Sequence, residues 1–116
     1  MKFLNSINWE LFNVCIKDDS CTPIANKMLK LMEETGELSS VWLAYIDSNN
    51  KSKSATKQLE NGKDVIMEEA LDVLLVILDL IGNLKHELCL TDEQIAEIFN
   101  KKVDKWDNKL HSKEGK

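Results

Sequence analysis

Ala70-Leu-Asp72-Val-Leu-Leu-Val-Ile-Leu-Asp79-Leu-Ile81 is apolar at every position except Asp72 and Asp79. A helix apolar all round belongs in the interior of a bundle, so this stretch predicts the central and most buried helix of an all-α fold, running from about Lys63 to Leu88. At 100° per residue Glu69, Asp72, Val76, Asp79 and Asn83 fall within a stripe about 80° wide, with Glu68 and His86 at its margin. The polar residues of a buried helix thus share one direction. Charge placed there is costly unless something compensates it.

Upstream, Asp47 to about Asn61 is rich in Ser, Asn and Lys and predicts a solvated loop, whose lysines are left out of any site. Before it, Thr22-Pro23 is a helix start with Thr22 as N-cap, opening a helix to about Ile46. Its expected core stripe is Ile24, Met28, Leu31, Leu38, Trp42 and Tyr45. Lys27, Lys30, Glu34, Glu37 and Val41 form a neighbouring stripe at the border of that core. A first helix from Asn5 or Ser6 to about Lys17 carries two apolar stripes. One is Phe3, Leu4, Ile7, Leu11 and Val14, the other Trp9, Phe12 and Ile16, and a helix apolar on two sides is either sandwiched or at a subunit interface. Thr91-Asp-Glu-Gln94 has the capping-box pattern and begins a last helix to about Leu110, with Ile95, Phe99, Val103, Trp106 and Leu110 facing the core. Lys102, Lys105 and Lys109 flank that face, within reach of an anion. The fold class expected is an all-α bundle of four to five helices with its acidic motifs on facing central helices.

A chain of 116 residues has room for one domain, spanning residues 1–116, and one modest core, which makes homo-oligomerisation a natural way to bury more surface. A net charge of −5 disfavours a nucleic-acid polymer as partner. Met1-Lys2-Phe3-Leu4 leads into polar residues with no apolar leader, and the run Val73–Ile81 is too short to span a bilayer, so a cytoplasmic location without membrane contact is expected. Cys15, Cys21 and Cys89 are odd in number, lack zinc-ligand spacing and read as reduced thiols.

Chemistry concentrates in two acidic pairs, Glu34-Thr-Gly-Glu37 and Glu69-Ala-Leu-Asp72. Their i, i+3 spacing projects both carboxylates of each pair from one side of a helix. Four carboxylates on two facing helices suit a hard divalent cation, Mg²⁺ or Mn²⁺, without histidine. Mg²⁺ commonly bridges to substrate phosphates, and no serine or cysteine stands out as a nucleophile, so the set points to phosphoanhydride hydrolysis by direct attack of water. For Asp79 and Asn83, ribose or base contacts and a buried hydrogen bond to a neighbouring helix are even alternatives. A di-iron centre would need Glu-x-x-His, and neither His86 nor His111 has a glutamate three residues earlier.

Lys30-Leu-Met-Glu-Glu34-Thr-Gly-Glu37-Leu38 resembles the K-L-x-E-E-x-G-E-L signature of MazG-like, all-α nucleoside triphosphate pyrophosphohydrolases. Glu68-Glu69-Ala-Leu-Asp72-Val73-Leu74 resembles their E-E-x-x-D-V-L segment. The resemblance implies a dimeric or tetrameric MazG-like bundle that uses Mg²⁺ to cleave a nucleoside triphosphate between the α- and β-phosphates. It makes Glu34, Glu37, Glu69 and Asp72 the metal ligands or water-activating acids, with Glu33 and Glu68 as further ligands. It also places Lys30 and Lys102 at basic positions suited to phosphate contact. Phosphoribosyl-ATP pyrophosphatase and a dUTP/dCTP-type hydrolase are alternatives within the same fold. A non-catalytic helical interaction module is the alternative of another class.

Overall fold

Asn8 decides how the chain begins. Its side-chain oxygen accepts the Leu11 N–H at 3.0 Å, so the first α-helix, α1, is Trp9–Asp18. The expected start at Asn5 or Ser6 is displaced, because Lys2–Ser6 forms a separate 3-10 turn and Ile7 is extended. The Trp9 indole N–H donates to the Leu4 carbonyl at 2.9 Å and ties that turn down. In the computed structural model, which describes the backbone of residues 1–49 and 53–114 and the side chains of 1–47 and 62–112, the remaining elements are α2 (Ile24–Asn49), α3 (Lys53–Glu87) and α4 (Asp92–Glu114). Among the described residues there is no strand, in keeping with an all-α fold.

Two boundaries differ from expectation. Thr22 is not the cap of α2, since its hydroxyl donates to Asp19 Oδ1 at 2.8 Å, and the first turn closes on the Pro23 carbonyl, which accepts from Asn26 and Lys27. The expected loop from Asp47 to Asn61 is replaced by helix on both sides of residues 50–52, which lie outside the described residues. Lys, Gln, Glu, Ala and Leu dominate from Lys53 to Glu60, and these are good helix formers whatever their polarity.

Contacts divide the chain into two units, Met1–Asn83 and Leu84–Lys116. In the first, α2 and α3 run antiparallel, with Lys27 bonded to Asp79, Glu34 grouped with Glu69, and Tyr45 against Gly62. On the other side α1 approaches α3 closely, because a Cβ at Gly82 would lie 3.2 Å from Ile16 Cδ1. Phe12 and Ile16 are therefore half-buried within the chain, while Trp9 of the same stripe is exposed. The stripe of α1 left open is the other one, with Leu11 and Val14 exposed.

The core is thin. Leu80 is the one buried hydrophobic residue among those described, and although most of Val73–Asp79 is half-buried, Leu71, Leu75 and Ile81 are exposed, so α3 is not enclosed on all sides. On α2 four of the six expected core residues, Ile24, Leu31, Leu38 and Tyr45, are half-buried, but the inward face is rotated toward the border stripe. Met28 and Trp42 are exposed, whereas Lys27 and Glu34 retain only 3% and 7% of their surface. Seven residues apart, these two share one face of the helix, and it is that face which turns inward.

In the second unit the turn after α3 closes with the Leu90 N–H on the Lys85 carbonyl, with Cys89 at φ 53, where glycine is usual. The capping box is reciprocal, the Gln94 N–H donating to Thr91 Oγ1 and the Thr91 N–H to Gln94 Oε1. Of the stripe expected to face the core, only Ile95 is half-buried, while Phe99, Val103, Trp106 and Leu110 are exposed. Among the described residues no helix is long and apolar enough to cross a membrane.

Candidate metal centre

Antiparallel pairing of α2 and α3 sets Glu69 beside the Glu34 and Glu37 pair. One carboxylate oxygen from each of the three lies within 4.8 Å of the others. Oxygens on opposite sides of a six-coordinate Mg²⁺ are about 4.2 Å apart, and around Ca²⁺ about 4.8 Å, so the three lie close enough together to reach one ion with small side-chain adjustment. Glu34 Oε1 accepts from Lys30 Nζ at 3.0 Å. Among the described residues Glu34 Oε2 and Glu69 Oε2 are buried and have no donor. A buried carboxylate oxygen without a donor is costly unless its charge is compensated.

The electrostatics agree. Lys30 is the one cation bonded to the cluster among the described residues, at 3.0 Å from Glu34 and 3.8 Å from Glu33, and these acids hold its ammonium above the ordinary lysine range. Against three clustered carboxylates one ammonium leaves an excess of about two negative charges. Glu37 carries the consequence: the Glu34 charge foremost, then partial desolvation and Glu69, push its carboxyl above the usual glutamate value. The donor set is all carboxylate oxygen, which suits a hard divalent cation, and Glu34, Glu37 and Glu69 are the residues that would hold it.

Other expected residues are placed differently. Asp72 is exposed and stands outside the triad, one turn along α3 from Glu69. The Asn83 amide donates to the Asp79 carbonyl at 2.8 Å and to Asp79 Oδ1 at 3.2 Å, so it serves its own helix. Lys102 and Lys105 are exposed on α4.

A second cluster realises the buried hydrogen bond expected of Asp79 toward a neighbouring helix, with partners the sequence reading did not name. The buried Lys27 ammonium donates to Asp79 Oδ2 at 2.6 Å and to Asp19 Oδ2 at 2.9 Å, joining α2 to α3 and to the end of α1. Burial pulls this lysine's pKa down, but the bonds to Asp79 and Asp19 outweigh it and leave the group above its ordinary value. Its signal lay in the sequence as a lysine in the border stripe of α2 and an isolated aspartate in the apolar α3. The cluster lines a cavity of about 440 Å³ walled by Phe12, Ile16, Leu75 and Val76. Lys30 lines it too, and so links the cavity to the acid triad. The volume lies in the range of small-molecule sites, and an apolar wall with a few polar groups is their usual lining. Compared with known proteins, the chain matches no family model, no curated protein and no solved structure.

Proposed function

We propose that the chain is a Mg²⁺-dependent nucleoside triphosphate pyrophosphohydrolase, converting a (d)NTP and water to the (d)NMP and pyrophosphate in nucleotide-pool control or house-cleaning. The observation that carries this reading is the pair of buried, unpartnered oxygens of Glu34 and Glu69 beside Glu37. The resemblance of the two acidic motifs to MazG-like enzymes supports it.

When bound, Mg²⁺ (or Mn²⁺) supplies the positive charge that neutralises the phosphate oxygens. The chain's own residues do the rest. Glu34, Glu37 and Glu69 fix the position at which the phosphates are received, and Lys30 borders both that position and the cavity. The cavity takes the nucleoside, with Phe12 and Val76 offering apolar surface to the base. Asp72, exposed and outside the triad, accepts the proton of the attacking water on a carboxylate oxygen. The water oxygen bonds to the α-phosphorus as the bond from that phosphorus to the bridging oxygen breaks, and pyrophosphate leaves. The working form is a homodimer or homotetramer in the cytoplasm.

Incubation with each NTP and dNTP in Mg²⁺ and in EDTA, followed by separation of products, tests the reading. Monophosphate plus pyrophosphate, formed only with the cation, is expected. Diphosphate plus orthophosphate, or turnover that survives Glu34→Ala, would overturn it.

A further inference from the structure

The cavity of about 440 Å³ has an apolar wall and a polar end, and the polar end is richer in acceptors than in donors. Asp19, Asp79, Lys27, Thr22 and Asn26 line it. Lys27 donates to both aspartates, the Thr22 hydroxyl to Asp19 Oδ1 and the Asn83 amide to Asp79 Oδ1. Each aspartate oxygen thus accepts one bond, whereas an ionised carboxylate offers about four acceptor sites in all, so roughly half of these sites stay open. Two carboxylates against one ammonium also leave this end with negative charge. Asp19 is the accessible one of the two, with 57% of its side-chain surface exposed.

Asn26 adds the one neutral amide of the cavity lining, and among the described residues nothing bonds its side chain, so a donor and an acceptor are both open. Its position follows from α2. Asn26, Lys30 and Glu34 recur every four residues along one side of the helix, and Asn26 lies about 12 Å along the axis from Glu34. Phosphates received at the acid triad and beside Lys30 therefore put the base, not the phosphates, next to Asn26. Asn26 also stands four residues beyond Thr22, whose hydroxyl is bonded to Asp19.

We propose that this cavity selects a nucleotide whose base carries an exocyclic amine beside an unprotonated ring nitrogen, as cytosine and adenine do, with Asn26 holding the edge of the base and Asp19 setting which edge is accepted. This rests on the cavity taking the nucleoside, as proposed above. The Asn26 carbonyl accepts from the amine and its N–H group donates to the ring nitrogen, and the second amine N–H is left for an open acceptor of Asp19. Uracil and hypoxanthine reverse the pattern, with a carbonyl oxygen in place of the amine. An amide can turn over to meet the reversed edge, but a carboxylate cannot donate, so a carbonyl facing Asp19 meets only lone pairs and negative charge.

Calorimetry with the α,β-methylene analogues of CTP, UTP, ATP and ITP in Mg²⁺ reads binding without turnover, and circular dichroism checks that each variant keeps its helices. The cytidine analogue is expected to bind about ten- to a hundredfold more tightly than the uridine analogue, and the adenosine analogue to exceed the inosine analogue likewise. Asp19→Asn, which places a donor beside the acceptors, is expected to bring both ratios close to one. Asn26→Ala is expected to weaken the cytidine analogue about tenfold or more. Equal binding of the cytidine and uridine analogues, or tighter binding of the uridine one, would overturn the selection and leave the nucleotide reading in place. Binding by none of the four would overturn both. A preference that survives Asp19→Asn would overturn the role of Asp19, and an unchanged affinity for the cytidine analogue in Asn26→Ala would overturn that of Asn26.

Discussion

Two charged clusters lie between α2 and α3, about two helical turns apart, and they differ in whether the chain completes them. At Lys27 the ammonium is matched by Asp19 and Asp79, and Asp79 is further bonded by the Asn83 amide. At Glu34 three carboxylates gather around one lysine, and two buried oxygens accept from nothing. Both clusters bear the cost of removing charge from water, but only the first recovers it from within the chain. A completed cluster fastens helices together. One left incomplete carries a charge cost that no described residue offsets.

The largest effect should come from the incomplete cluster. Glu34→Ala and Glu69→Ala are each expected to lower pyrophosphate release on the order of a thousandfold or more, because each removes a carboxylate from a site whose cation contributes several kcal/mol. Asp72→Asn separates the proton acceptor from the triad, with an expected loss of about 10²- to 10⁴-fold. Full activity in Asp72→Asn would remove it from the reaction.

Lys27→Met attacks the completed cluster and is expected to cost about 3 kcal/mol in urea unfolding, since it leaves Asp79 half-buried without its partner. Replacing both charges, Lys27→Met with Asp79→Leu, should recover most of that loss. If the double variant is no better than the single, Lys27 stabilises through packing rather than through the pair.

Metal should act on one cluster only. Mg²⁺ at a hundred times its dissociation constant is expected to stabilise the fold by about 2.7 kcal/mol, a gain read as a rise in Tm that Glu34→Ala abolishes and Lys27→Met keeps. A gain of equal size in Glu34→Ala would place the cation elsewhere.

The smallest effects lie in pH, and they have opposite signs. Glu37 is raised above 4.5 by Glu34, so its contribution to stability in EDTA is fully present below pH 4.5 and lost as pH rises through its folded value. Glu37→Gln should therefore raise Tm slightly at pH 7 in EDTA and have no such effect at pH 4. Asp19 is lowered below 3.8 by its bond to Lys27, with help from Thr22, so its contribution is present above pH 3.8 and lost as pH falls through the lower folded value. Asp19→Asn should lower Tm slightly at pH 7. Matching signs for the two variants would mean the clusters do not differ in charge balance as described.

Much of the local structure was legible because its cause is local. Thr91 and Gln94 satisfy each other's backbone N–H groups within one turn, and the reciprocal box is found as written. Glu34 and Glu37 share a side of α2 for the same reason, and the apolar α3 supplies the facing element that brings Glu69 to them. Polarity from Lys53 to Glu60 was a poor guide to helix, since the stretch is rich in good helix formers whatever their polarity.

By itself the sequence determined four α-helices, the acid pairs at helical spacing and a central helix with all its charge on one side, because spacing and capping act over a few residues. Tertiary structure decided which face of each helix turns inward. Counting apolar residues favours Met28 and Trp42 on α2, yet the face that turns in carries Lys27 and Glu34, both part of clusters that reach α3. The pairing of Lys27 with Asp79, 52 positions away, follows from the register of the antiparallel helices, and so does the exclusion of Asp72 from the triad. Both depend on how α2 and α3 are rotated against each other, a quantity that no local spacing encodes.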